Sequence, residues 1–365
     1  MGNAAETVIA IGTKKGLWLA RSTDRASWIL DGPYFLNIEV ASVAIDTRGG
    51  RTRVLAGIND WHWGPAVVHS DDLGATWTEP EHGAIKFPAD TGAELARIWH
   101  LRPDTDERPG VVWAGCEPIS VWKSTDSGES FELNRGLWEH PHRKEWGEGF
   151  GGPAAHTIIP DREDAKTLHV AMSTGGVYRS RDAGGSWEPR NKGISAGFMP
   201  DEEPEFGQCV HRITADAADH NRLYAQNHGG VYRTDNGGDE WVSIADGLPA
   251  DFGFTFLTHP RRAGTAWTIP LHSDFQRIPV GGRLALWRTD DAGLTWAEQR
   301  EGLPDGEYNV VLRDAAWVDE HDGVAGLYFG TRAGEVFASS DEGASFSQVA
   351  ERLPDVLSVR AAIVA

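Results

Sequence analysis

Short apolar–polar alternations recur along the whole chain, each closed by a cluster of aspartate, glycine and serine or threonine. VASVAID (40–46), IWHLRPD (98–104), AHTIIPD (155–161), VHRITAD (210–216) and LRDAAWVD (312–319) are such stretches, as are GVYRS (176–180) and LALWR (284–288). A period of two predicts strands with one face turned to a core. The clusters between them follow one pattern: SDDLGATW (70–77), STDSGESF (124–131), SRDAGGSW (180–187), TDNGGDEW (234–241), TDDAGLTW (289–296) and SSDEGASF (339–346), with a degraded STDRASW at 22–28. Their third positions, Asp24, Asp72, Asp126, Asp182, Asn236, Asp291 and Asp341, lie 48 to 56 residues apart. Seven copies at that spacing predict an all-β fold, a seven-bladed β-propeller occupying 1–365 as one domain.

The chemistry of each copy is that of a hairpin turn. The carboxylate or amide accepts from backbone N–H groups further on, glycine supplies a positive φ, and the closing aromatic packs back into the blade. A strand precedes each copy, and the strand after it often ends in Gly-Leu, as at Gly136-Leu137, Gly247-Leu248 and Gly302-Leu303. The N-terminal copy lacks an inner strand, and SVRAAIVA (358–365) is left over at the other end. Pairing the two termini in one blade closes the ring and removes its open edges.

Labelling the strands of each blade A to D from the axis outward puts the repeated turns, which join C to D, on one face of the disc. The B–C turns and the D-to-A connections occupy the other. The long, chemically rich segments are all of that second kind: 59–66 and 271–285 as B–C turns, and 79–94, 134–155 and 190–208 as D–A connections. Loops of this length in a compact repeat carry function more often than not. The turn aspartates are structural, and a site is expected at the opposite mouth of the channel.

Counting back five residues from the aspartate that ends each inner strand gives Ala41, Trp99, His156, His211 and Asp314. The same register in the two less regular strands gives Phe256 and Arg360. This ring is expected to floor the pocket, with Val43, Leu101, Ile158, Ile213, Thr258, Ala316 and Ala362 packing between blades.

Three kinds of chemistry follow. His156 and His211 come from adjacent blades, and His140 and His142 alternate in the arriving loop; with His228 or His62 they are candidate ligands of a divalent metal. Carboxylates on the same face are Glu117, Glu148, Glu205, Asp251, Asp274 and Asp314. Glu205, Asp314 and Glu148, with His156 and His211, are the candidates for acid–base work. Solvated carboxylates and a structural Asp314–Arg360 ion pair are the alternatives. Trp61, Trp63, Trp99, Trp138 and Trp146 have no role imposed by the repeat and suit a sugar ring or the burial of long loops; Arg143, Arg277, Arg313 and Arg360 could hold polar groups.

The repeat S-x-D-x-G-x-T-W resembles the Asp-box (BNR) motif of sialidases and related β-propellers, over nearly the whole chain. It is similar to bacterial Asp-box propellers that go by the name exo-alpha-sialidase; xyloglucan hydrolases and a photosystem assembly factor share such repeats. Sialidases hold a substrate carboxylate with three arginines and use a Tyr–Glu pair and an aspartate. The resemblance points to Arg313, Arg332 and Arg360, and to Tyr308 beside Glu307. Sialidases have six blades and an early Arg-Ile-Pro; here seven are counted and Arg277-Ile278-Pro279 falls late.

A formal charge of −20 opposes binding to nucleic acid or an anionic membrane. Two cysteines, Cys116 and Cys209, exclude a disulfide framework. The first residues lack a basic n-region and an apolar run of signal length, so a cytoplasmic protein is expected. Two functions fit: a glycoside hydrolase-like or lyase-like enzyme on a small polar or sugar substrate, or a non-catalytic propeller that binds a protein or glycan through its loop-rich face.

Overall fold

The computed structural model describes residues 5–80, 83–147 and 151–364. Seven antiparallel sheets follow one another along the chain, six of four strands and one of three. Their inner strands are Glu39–Asp46, Arg97–Pro103, Ala155–Pro160, Val210–Ala215, Phe252–Thr258, Ala316–His321 and Val356–Val364, which we number as blades 1 to 7. Blade 1 is the three-stranded one, its fourth strand reduced to a bridge between His69 and Thr78. Val356–Val364 runs antiparallel to Glu6–Thr13, from Glu6 opposite Val364 to Thr13 opposite Val356, so both ends of the chain share blade 7. No helix among the described residues is long and apolar enough to cross a membrane.

The repeated turns are built as their composition dictates. In the first full copy, Ser70 Oγ donates to Asp72 Oδ1 (2.8 Å), the Gly74 amide donates to Ser70 Oγ (2.8 Å), and the Thr76 amide and hydroxyl donate to Asp72 (2.8 and 2.6 Å). Gly74 sits at φ 90°. Asparagine serves equally in the divergent copy, because only acceptance is required: Asn236 Oδ1 accepts from Thr234 Oγ1 and from the Glu240 amide.

The closing aromatics act between blades as well as within them. Trp187 Nε1 donates to Asn134 Oδ1, Trp241 Nε1 to the Arg190 carbonyl and Trp296 Nε1 to the Ile244 carbonyl, each acceptor lying in the preceding blade or the connection after it. The expected packing into their own blades is thus only half of their work. Apolar clusters fill the spaces between neighbouring blades, such as Trp113, Val121, Ile158, Val170 and Trp187 between blades 2 and 3.

Candidate functional site

Four inner strands carry the same irregularity near their starts. The pairing register slips between Val40 and Ser42, Ile98 and His100, Ala155 and Thr157, and Val210 and Arg212. Ala41, Trp99, His156 and His211 are left as the extra residue of a β-bulge, a device that re-aims a side chain. These are the positions given by counting back from the strand-end aspartates. In blade 5 the slip falls between Gly253 and Phe256. Phe254 therefore lines the cavity, while Phe256 stacks on Tyr224 in the core (centroids 5.2 Å, 14°). In blade 7 the cavity residue is Leu357, and Arg360 lines a hollow towards the opposite face. The count misses both because it assumes one strand length for all seven blades, and His156 of blade 3, though at its bulge, is buried outside the cavity lining.

A cavity of about 340 Å3 opens on the face away from the repeated turns. Its lining is strongly cationic for a chain of net charge −20: Lys14, Arg97, Arg277, Arg313 and Arg332, with Asp314 as the one acidic lining residue among those described. The cations at the rim have partners, Arg97 and Lys14 on Glu39 (2.8 and 3.8 Å) and Arg332 on Asp355 (2.7 Å). Arg277 Nε donates to the Asp274 carbonyl (2.9 Å), and its guanidinium lies 5.5 Å from the Phe254 ring centroid. Arg313 is held between Trp99 (5.3 Å) and Phe254 (5.9 Å), with no carboxylate among the described residues within 4.0 Å. Burial, with Arg97 and Arg277 nearby, brings its pKa down to about 10, so it stays charged at neutral pH. Trp99 is fixed by its indole N–H, which donates to Glu117 (2.9 Å).

An ion triad closes the bottom. Asp314 Oδ1 accepts from Arg212 Nη1 (2.7 Å) and Arg360 Nη2 (2.5 Å), and all three are buried. Burial alone would raise the Asp314 pKa; Arg360 and Arg212 outweigh it and hold the carboxyl at about 2. Its other oxygen is buried without a hydrogen-bond partner. Asp314 thus has no proton to give near neutrality, and the ion-pair alternative describes its surroundings. Arg212, absent from the sequence candidates, follows the bulged His211, where the period of two that would reveal it breaks.

Above the floor, Cys209, His211 and His228 bring one donor atom each within 4.8 Å of one another. The His228 amide donates to the Cys209 carbonyl (2.8 Å), which ties the second strand of blade 4 to its first. His211 Nδ1 lies 2.6 Å from the Gly253 carbonyl, and His228 Nε2 lies 3.2 Å from Asp274 Oδ2. Cys209 was not a sequence candidate, although Cys-x-His at the start of an inner strand is a signal that could have found it.

The remaining expectations are redistributed. His140 and His142 do not join His211, because 141–145 is a 3-10 turn rather than an extended arm. His140 stacks on Trp146 (6.0 Å, 12°), His142 on Phe206 (4.1 Å, 19°), and His142 and Trp146 both reach the Tyr178 hydroxyl (2.9 and 3.1 Å). Trp146 is therefore a buried anchor of the loop, not an open face. Arg143 lies over Trp138 (3.4 Å). His156 is fully buried, its Nε2 without a partner, and burial first and Arg313 and His211 next push its pKa well below the usual value. Glu205 is exposed in an outer groove beside Asn191 and Lys192, away from the cavity. Trp61 and Trp63 are 81% and 84% exposed at the tip of the blade 1 turn and do not line the cavity. Glu148 lies outside the described residues.

No family model matches the chain. A xyloglucanase from Paenibacillus sp is 25% identical over 230 residues, 55% of this chain and 21% of that protein. An ancestral GH74 enzyme superposes with a TM-score of 0.58 at 15% identity, covering 85% of this chain and 38% of its own. A structure of YCF48 bound to D1 peptide gives 0.52 at 15% identity, covering 95% and 84%. The chain thus spans about a fifth of the xyloglucanase, and the structural likenesses carry the propeller fold.

Proposed function

We propose that this propeller is a glycoside hydrolase-like protein that takes a carboxylate-bearing saccharide into the cavity at its channel mouth. The observation that carries the reading is Arg313, a cation between two aromatic faces with no described carboxylate within 4.0 Å, in a cavity lined by four further cations. A guanidinium suits planar recognition of a carboxylate, and Trp99 and Phe254 suit the apolar face of a sugar. The similarity to a xyloglucanase supports a saccharide as the ligand class.

Calorimetric titration with uronate-containing oligosaccharides and with neutral xyloglucan oligosaccharides tests this. Acidic sugars should bind more tightly, and Arg313→Ala should weaken them about 10- to 150-fold, the loss of a hydrogen bond to a charged group. Equal binding of neutral sugars, unchanged in Arg313→Ala, would overturn it. Release of reducing ends from the sugar that binds then separates a hydrolase from a binding protein.

The exposed Trp61 and Trp63 favour a second reading, in which the rim docks a polymer or protein without turnover. Trp61→Ala with Trp63→Ala would then abolish binding while leaving the cavity intact.

A further inference from the structure

We infer that Cys209, His211 and His228 form a binding site for a divalent cation of the zinc class, with one coordination position open to the cavity. A thiolate and two imidazoles are the ligand types such ions prefer, and three protein ligands plus an open position is the arrangement of a reactive site rather than a closed structural one. The donor atoms lie within 4.8 Å of one another. Tetrahedral ligation at about 2.0–2.3 Å puts donors about 3.3–3.8 Å apart, so the three would draw together by about 1 Å on binding.

The surroundings of the two rings are the second observation. A ligating imidazole commonly gives its other N–H to a carbonyl or a carboxylate. His211 Nδ1 faces the Gly253 carbonyl at 2.6 Å, which leaves Nε2 as the acceptor; His228 Nε2 faces Asp274 at 3.2 Å, which leaves Nδ1. Both rings thus present a lone pair, and they are packed edge to face with centroids 5.6 Å apart. Charge agrees too. A divalent ion, the Cys209 thiolate and Asp274 sum to zero, so the nearby Arg277 and Arg313 are not opposed by a net positive centre. Without metal, burial holds the thiol above its usual pKa, against the pull of Arg313; binding must then displace its proton.

This inference stands without the saccharide reading, since metal uptake and sugar binding are measured separately. The chain, stripped with a chelator, is titrated with Zn2+ under chelator competition and with Co2+ under absorption spectroscopy. One equivalent per chain is expected, with a thiolate-to-Co2+ charge-transfer band. Cys209→Ser should remove the band, Cys209→Ser with His228→Ala should remove uptake, and Asp274→Asn should weaken Zn2+ about 10- to 100-fold. Absence of the band in the unmodified chain would overturn the site whatever the variants do. Uptake that persists unchanged in the double variant would do so as well.

Discussion

Asp314 shows how much one residue's setting decides. Its neighbours Arg212 and Arg360 are buried with it, so removing its charge strands two buried guanidinium groups beneath the cavity. Breaking a buried ion pair from one side costs about 3–5 kcal/mol. Asp314→Asn should therefore lower the unfolding free energy in urea by that amount, and a loss under about 1 kcal/mol would show the triad to be dispensable. Trp61→Ala, at an exposed tip, should stay within about 0.5 kcal/mol. Asp314 was legible from a count along the strand, because the ending aspartate marks the register; blade 7 has no such aspartate, and there the same count chose Arg360 where Leu357 lines the cavity. Arg212 was not, since a bulge between Val210 and Arg212 disrupts the alternation that would set its direction, and Cys209 was not because it precedes that strand.

At the scale of the element, the repeat spelled out the turns because each needs only local chemistry: a short acceptor side chain, a hydroxyl and a glycine. It said less about how the blades join. The glycine after an outer strand is not merely a strand end. A Cβ on Gly302 would sit 2.1 Å from the Phe346 carbonyl oxygen, and one on Gly193 would sit 2.2 Å from that of Trp241. In both cases the residue before the glycine accepts the aromatic's amide, Glu301 from Phe346 and Lys192 from Trp241. The connection leaving one blade thus lies directly beneath the turn of the next. Gly302 also has φ +82°. Gly302→Ala combines left-handed strain of about 1–2 kcal/mol with overpacking of about 1–3 kcal/mol. Gly306→Ala, at φ +77° with nothing within 4 Å, carries only the first. Denaturant unfolding of the pair should separate them by at least about 1 kcal/mol, and equal losses would remove the close approach from the account. The loop 134–155 was misjudged for a related reason: the pairing of His140 and His142 with Tyr178 depends on a different strand, and nothing local in the loop announces it.

For the whole molecule, the ring brings together a core that is unusually rich in neutral histidine. His100, His156, His169 and His211 are all buried. Burial depresses the pKa of each, to about 4 for His169, whose Nε2 lies 3.0 Å from the Gly237 carbonyl, and well below the usual value for the other three. The unfolded chain takes up these protons at about pH 6.5, whereas the folded chain resists them until much lower pH. The unfolded state therefore binds more protons below pH 6.5, and stability must fall there as acid is added. It is fully present above about pH 6.5 and is lost progressively down towards pH 4, each histidine contributing up to about 1.4 kcal/mol per pH unit. Asp314 works in a different window: with its folded pKa at about 2, its contribution is intact above about pH 4 and disappears only as pH falls from there to 2. Melting followed by circular dichroism should accordingly show Tm dropping between pH 6.5 and 4.5, before the Asp314 contribution is lost. A Tm that stays level across that interval would mean that the buried imidazoles can take up protons in the folded ring.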